Sequence, residues 1–163
     1  MPKPFKPSVT VAAVIEKDGR FLLVEEETAG GLKLNNPAGH LDPGETPAQG
    51  CAREVLEEAA YVFTPTAVLG VYLARSMKKT TGEDQTYLRM AFCGELGAHD
   101  PDRPLDEGIV RTLWMTPGEL RASAREGRHR SPLVLQCIED YLAGVRHPLS
   151  VIYADPSLLV TPR

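Results

Sequence analysis

The stretch GHLDPGETPAQGCAREVLEEAAY, residues 39–61, decides the fold. It contains the signals of a helix start, because Thr46 can cap the helix, Pro47 suits the first helical position and Gln49 completes a capping box. We therefore predict a helix over roughly residues 46–59. The residues that precede it, 28–44, are rich in Gly, Asn and Pro and are predicted to form a loop.

Two stripes run along this predicted helix when its residues are placed about 100° apart. The buried stripe consists of Ala48, Cys51, Ala52, Val55 and Ala59. The adjacent stripe consists of Glu54, Glu57 and Glu58, so three carboxylates converge on one edge. In an isolated helix such a stripe is usually a solvated face, and that interpretation stays open at this point.

The three carboxylates repel one another, so a cation is expected beside them. Arg53 can pair with Glu57 one turn along the helix, but one guanidinium cannot neutralise three carboxylates. Mg²⁺ and Mn²⁺ prefer oxygen ligands of this kind, completed by backbone carbonyls and water. The loop at Gly39 could present such a carbonyl.

The spacing of these residues adds a stronger argument. Gly39, Glu45 and the run from Arg53 to Glu58 stand at the offsets of the Nudix box, and the chain is identified by this resemblance as a Nudix hydrolase. One departure concerns the end of the box, where Ala60 and Tyr61 replace the usual Gly and aliphatic residue. Since Gly favours a left-handed helix cap, we expect the exit from this helix to differ.

Further segments, most of them outside the box, resemble the NudJ-type Nudix phosphatases over nearly the whole chain. They are residues 6–12, 24–26, 37–41, 88–89 and 130–134. The resemblance implies one Nudix domain over residues 1–163, with its box at 39–61 and an α+β fold in which helices flank a mixed central sheet as an α/β/α sandwich. It also implies a Mg²⁺-dependent enzyme, with Mn²⁺ as a possible substitute. Such an enzyme releases orthophosphate from nucleoside triphosphates and diphosphates and from thiamine-type pyrophosphates.

The same resemblance assigns site residues. The metal ligands would be Gly39, Glu54, Glu57 and Glu58, and the catalytic residues would be Glu54, Glu57, Arg53 and Glu107. Within the second set, Arg53 would orient a carboxylate, and Glu54 and Glu107 remain alternatives for the general base. The substrate-binding candidates are His40, Asn36, Arg75 and Arg89, although surface solvation or turn formation explains each of them equally well.

Patterns elsewhere predict the other elements. The expected strands are 9–15, 21–24, 68–74, 87–96 and 109–115, with hairpin connections at 17–20 and 78–85. Thr116 and Glu119 repeat the capping-box pattern before a second helix. Ser131 and Pro132 open a third helix that should end at Gly144.

Composition excludes several classes of function. The chain has 163 residues and a net charge of -4, without a block of Lys or Arg, which argues against nucleic-acid polymers as partners. Three cysteines without CxxC spacing predict reduced thiols, and the lack of a long apolar run predicts no membrane partner. We therefore expect a cytoplasmic protein with a small-molecule nucleotide or pyrophosphate substrate, as a monomer or a homodimer.

Two alternative functions stay open. One is a pyrophosphatase that cleaves ADP-ribose or a dinucleotide internally. The other is a non-catalytic module that senses a nucleotide, although such modules commonly lose the box carboxylates that this chain keeps.

Overall fold

Two β-sheets and three α-helices form the frame of the fold in the computed structural model, which describes residues 1–160. The strands are β1 Ser8–Ala13, β2 Glu16–Lys17, β3 Arg20–Thr28, β4 Gly31–Asn35, β5 Ala38–His40, β6 Tyr61–Met77, β7 Asp84–His99 and β8 Ile109–Met115. The helices are α1 Pro47–Ala59, α2 Pro117–Arg125 and α3 Leu133–Leu142, and short 3₁₀ turns follow at Leu149–Val151 and Pro156–Leu159.

The first sheet has the strand order β5-β1-β7-β6, in which β1 and β7 are parallel and the other pairs are antiparallel. In the second sheet β3 pairs with β2, β4 and β8. Alternate residues of β7 point into two cores, since Phe92 packs on the side of α1 while Ala91 and Cys93 pack on the side of α2 and α3. The predicted α+β class, with helices flanking a mixed sheet, is confirmed.

Several local predictions hold. The turn between β2 and β3 has positive φ at Asp18 and Gly19, 52° and 77°, as a two-residue hairpin of this kind requires. The strand at 109–115 and both capping-box helices are present. Strands β6 and β7 pair as predicted but extend further at both ends, because their long hairpin continues the ladder beyond the apolar runs.

The prediction of a loop over residues 28–44 is wrong in part, because β4 and β5 lie within it. In β4, Leu34 is fully buried and pairs with Glu25 of β3, and in β5 Gly39 pairs with Val11 of β1. The ladder partners are β3, which directly precedes β4, and β1, which pairs with β5 from further back in the chain, and both stabilise strands that the Gly-rich composition does not favour by itself.

Helix α1 packs against β1 and β6, and it buries Cys51, Val55 and Ala59 completely. The predicted stripe is therefore correct at its centre, while Ala48 and Ala52 are half-buried. The carboxylates of Glu54 and Glu58 are buried as well, which excludes a solvated face for that part of the acidic stripe.

The exit from α1 does not differ in the way that the missing Gly suggests. Ala60 adopts the left-handed conformation with φ 58°, and its N–H donates to the carbonyl of Leu56 at 3.0 Å. The helix thus ends with the cap that Gly would make, at a conformational cost that Gly avoids.

The three cysteines are free and buried, in agreement with the predicted absence of a disulfide framework. Across residues 1–160 no helix combines the length and the apolarity needed to span a bilayer.

Candidate metal centre

The start of α1 is fixed by its cap. The Thr46 hydroxyl accepts from the Gln49 N–H at 3.2 Å, and the Gln49 side chain accepts from the Thr46 N–H at 2.9 Å. This reciprocal pair satisfies donors that a helix start otherwise leaves free. The cap therefore sets where the later turns of α1 present their side chains.

Three carboxylates meet beside the later turns of α1. One oxygen from each of Glu54, Glu57 and Asp106 lies within 4.8 Å of the others, and we call these three residues the acidic cluster. The backbone N–H of Asp106 donates to the carbonyl of Glu57 at 2.9 Å, which ties the loop before β8 to the helix. A small set of carboxylate oxygens is the environment that hard divalent cations prefer, so the residues present fit Mg²⁺ or Mn²⁺.

Glu54 lies directly against Gly39. A Cβ placed on Gly39 would stand 2.2 Å from the carboxyl carbon of Glu54, closer than any side chain tolerates. Burial raises the pKa of Glu54, and the negative charges of Glu57 and Asp106 act in the same direction. Gly39 is thus the residue type that allows this carboxylate to approach the backbone of β5.

Glu58 occupies a buried position next to the acidic cluster but outside it. Its Oε1 accepts from the backbone N–H of Ala38 at 2.8 Å. Burial raises its pKa to about 8, and the nearby carboxylates of Glu26 and Glu54 add to the effect. Its assignment as a metal ligand stays a prediction.

Arg53 connects the loop before α1 with the acidic cluster. It donates to both carboxylate oxygens of Glu45, at 2.9 and 2.8 Å, and to the carbonyl of His40 at 3.0 Å. Its Nη1 also donates to Glu54 at 2.8 Å and to Glu57 at 3.1 Å, so the predicted pairing with Glu57 is present. These bonds lower the pKa of Glu45 and raise the pKa of Arg53.

Glu45 also accepts from the backbone N–H of Asp42 at 2.8 Å, which holds the loop in front of the helix. Gly50 makes room for this arrangement, since a Cβ on it would lie 2.7 Å from the Glu45 carboxylate.

The four residues predicted to bind substrate are dispersed. His40 is exposed, and Arg75 is exposed in the long hairpin, where it binds both oxygens of Asp84 at 2.7 and 2.6 Å. Asn36 and Arg89 are buried and bonded to each other at 2.7 Å. Among residues 1–160 the structure therefore brings only this last pair into direct contact.

Sequence reasoning missed Asp106. The notable signal was the adjacent acidic pair before β8, from which Glu107 was selected. Both residues are exposed, and Asp106 is the one whose carboxylate lies close to Glu54 and Glu57 of α1. The hydrogen bond from Asp106 to Glu57 joins residues 49 positions apart, which no local pattern indicates.

The chain is similar in sequence and in fold to known proteins. The NUDIX domain profile matches residues 4–136. The chain is 36% identical over 148 residues to Phosphatase NudJ of Escherichia coli strain K12 and to Phosphatase NudJ of Shigella boydii serotype 4, covering 91% of this chain and 92% of each relative. Among solved structures, a NUDIX hydrolase from Nitrosomonas europaea is 51% identical with a TM-score of 0.82, covering 92% of this chain and 98% of that one. A MutT NUDIX hydrolase from Burkholderia pseudomallei is 18% identical with a TM-score of 0.66, over 83% of this chain and 98% of that one, and shows the fold alone.

Proposed function

Since the chain belongs to the NUDIX family and is a hydrolase of acid anhydrides in phosphorus-containing compounds, we propose that it is a Mg²⁺-dependent phosphatase. Its proposed substrates are nucleoside triphosphates and diphosphates and thiamine-type pyrophosphates, from which it releases orthophosphate. The observation that carries the proposal is the acidic cluster, in which Glu54 and Glu57 of a box with intact carboxylates meet Asp106 from the loop before β8. The similarity to relatives named Phosphatase NudJ supports the choice of a phosphatase.

We propose Glu54, Glu57, Glu58 and the Gly39 carbonyl as metal ligands, and the geometry adds Asp106 to this set. Mg²⁺, or Mn²⁺ in its place, when bound neutralises charge on the phosphate oxygens and makes a coordinated water easier to deprotonate. The carboxylates, half of them buried, are the groups whose mutual repulsion such an ion relieves.

Glu54 is the better supported of the two candidates for the general base. Its carboxylate lies buried against Gly39 within the acidic cluster, whereas Glu107 is exposed and lies outside that cluster. Glu107 stays the alternative. Arg53 is proposed to orient Glu54 and Glu57, to which its Nη1 donates at 2.8 and 3.1 Å.

Substrate contacts remain proposals. His40 and Arg75 are exposed and could meet phosphate groups, whereas Asn36 and Arg89 are engaged with each other inside the protein. A cytoplasmic location and a monomeric or homodimeric state are proposed from the sequence, and fractionation and sedimentation test them.

The test is a screen of phosphate release from nucleoside and thiamine phosphates, with Mg²⁺ present and with Mg²⁺ removed by a chelator. We expect orthophosphate as the product and a rate that depends on the metal. AMP formed from ADP-ribose, with no orthophosphate from any diphosphate, would instead identify a pyrophosphatase that cleaves internally. Nucleotide binding without any product would identify a sensing module and contradict the proposal.

A further inference from the structure

Arg89 on β7 is a charged side chain in the protein interior, with 6% of its surface exposed. Its Nη1 donates to Oδ1 of Asn36 at 2.7 Å, and its Nη2 donates to Oδ1 of Asn35 at 2.9 Å. Within residues 1–160 its side-chain hydrogen bonds to oxygen end on these two neutral amides. Burying a charge in this way costs free energy that an apolar side chain of similar volume would avoid, so filling space does not explain the residue.

The forked guanidinium determines which way both amides point. A guanidinium only donates, so each amide must turn its oxygen toward Arg89 and its NH₂ group away from it. For Asn35 this directs Nδ2 to the carboxylate of Glu26, at 3.3 Å. The same oxygen of Glu26 also accepts from Nη1 of Arg130 at 2.8 Å.

The two amides also begin the segment that faces α1. Ala38 donates its N–H to Glu58 at 2.8 Å, and Gly39 lies against the carboxylate of Glu54. Both contacts come within four residues of Asn35. A rotation of the backbone at 35–36 would therefore displace two groups that touch the carboxylates of the candidate metal centre.

We propose that Arg89 is a positioning residue of this centre: its guanidinium holds Asn35 and Asn36, so that Ala38 and Gly39 meet the carboxylates of Glu58 and Glu54 in one geometry. The role deepens the proposed metal-dependent hydrolysis and rests on it. It differs from the substrate contact that the sequence suggested for Arg89, because the residue acts through the 35–39 segment.

Arg89→Lys tests the proposal, because lysine keeps the positive charge but cannot bind two amides as a fork. Amide hydrogen exchange at Ala38, measured without metal or substrate, should become faster in the variant. Mn²⁺ affinity, measured by electron paramagnetic resonance without substrate, should fall by about 10-fold to 100-fold, the range typical of outer-shell partners of a metal site. We expect kcat to fall while KM changes little.

Arg121→Lys is the matched control. Arg121 also makes a forked bond, to Glu139 at 2.6 and 3.1 Å, but on the surface between α2 and α3. It should leave Ala38 exchange, Mn²⁺ affinity and kcat unchanged. Equal effects in both lysine variants would mean a general loss of stability and would overturn the specific role.

Asn36→Ala provides a second variant should Arg89→Lys fail to fold. It removes one acceptor of the fork, so it should also speed Ala38 exchange and weaken Mn²⁺ binding. Where Arg89→Lys does fold, the double variant should bind Mn²⁺ no more weakly than the worse single variant, because both changes break one unit.

Two results would overturn the proposal. Unchanged Ala38 exchange with a raised KM would make Arg89 a substrate contact, and unchanged Mn²⁺ affinity would show that its bonds do not reach the metal centre. Ala38 exchange does not depend on catalysis, so it separates this failure from a failure of the proposed function, which would appear as full activity without Mg²⁺ in the wild-type protein.

Discussion

Glu45 lies just before α1 and Glu58 lies near its end, and their surroundings shift the pKa values of the two carboxyl groups in opposite directions. Glu45 meets the Arg53 guanidinium at both oxygens, and its pKa is lowered. Glu58 accepts from one backbone N–H, and burial, together with nearby negative charge, raises its pKa to about 8. The entrance of the helix therefore carries its own counter-charge, whereas the region beside the acidic cluster has an excess of negative charge.

This difference separates structural charges from functional ones. Near Glu45 the hydrogen bonds are complete within the chain, so the pair can stabilise the loop without a ligand. Near Glu54 and Glu57, Arg53 is shared between carboxylates that still repel one another. A bound cation would offset the remaining negative charge near Glu54 and Glu57, as Arg53 already does near Glu45.

The largest expected effect comes from replacing a carboxylate in the acidic cluster or directly beside it. Glu57→Gln or Glu58→Gln should lower Mg²⁺-dependent phosphate release by more than about 100-fold, since even outer-shell changes reach that range. The free energy of unfolding should change little, because either substitution removes repulsion between neighbouring carboxylates. Glu126→Gln, at an exposed Glu after α2, is the control and should keep full activity. Full activity in both test variants would reject the metal assignment.

Adding a methyl group at Gly39 tests the position of the Glu54 carboxylate from the side of the β5 backbone. In Gly39→Ala the new Cβ would stand 2.2 Å from the Glu54 carboxyl carbon, so the flexible carboxylate must move. We expect phosphate release to fall by about 10-fold to 100-fold, as for displaced outer-shell groups.

Gly30→Ala is the matched control, because its Cβ would meet Thr28 at an ordinary 3.7 Å. Thermal unfolding of both variants, recorded beside the rates, shows whether the loss is local. Unchanged activity in Gly39→Ala would mean that the position of Glu54 is not limiting.

Near Glu45, before the start of α1, the expected effect is on stability. Glu45→Gln should lower the free energy of unfolding by about 1.5–3 kcal/mol at pH 7, the range for hydrogen bonds to charged groups. Because the pKa of Glu45 is lowered in the folded state, its contribution is present above its unfolded value of 4.5 and is lost as pH falls through the folded pKa.

Urea unfolding of the wild type and Glu45→Gln at a series of pH values measures this directly. The difference between the two proteins should be constant near neutral pH and should narrow once the pH falls below 4.5. A difference that widens in acid would show that Glu45 is not stabilised as a carboxylate by Arg53.

The same two regions show what the sequence can predict. The cap at Thr46 and the pairing of Arg53 with Glu57 follow from offsets of three and four residues, and both are present. Glu54 and Glu57 converge in the acidic cluster for the same reason, whereas Glu58 lies beside it. Local periodicity and a resemblance in spacing were sufficient for this part of the site.

The remaining part depends on contacts between distant segments. Asp106 reaches α1 through a bond to Glu57, and Arg89 meets Asn36 from 53 residues away. Strand β4 forms because Leu34 is buried against partners that its Gly-rich neighbourhood does not reveal. A single sequence contains no distance information of this kind, so it could not show that Asp106 joins the carboxylates of α1.

The smallest expected effect concerns Ala60, the residue that ends α1. Its left-handed φ of 58° costs about 1–2 kcal/mol for a residue with a Cβ, and Gly would avoid this while losing about 0.5–1 kcal/mol of chain entropy. Ala60→Gly should therefore raise the free energy of unfolding by about 0.5–1 kcal/mol, measured in urea. Ala59→Gly, within the helix and fully buried, should instead lower the free energy of unfolding.

Phosphate release should not change in Ala60→Gly, because Asp106 is tied to the carbonyl of Glu57. A destabilised Ala60→Gly would mean that the buried methyl group contributes more than the backbone strain costs.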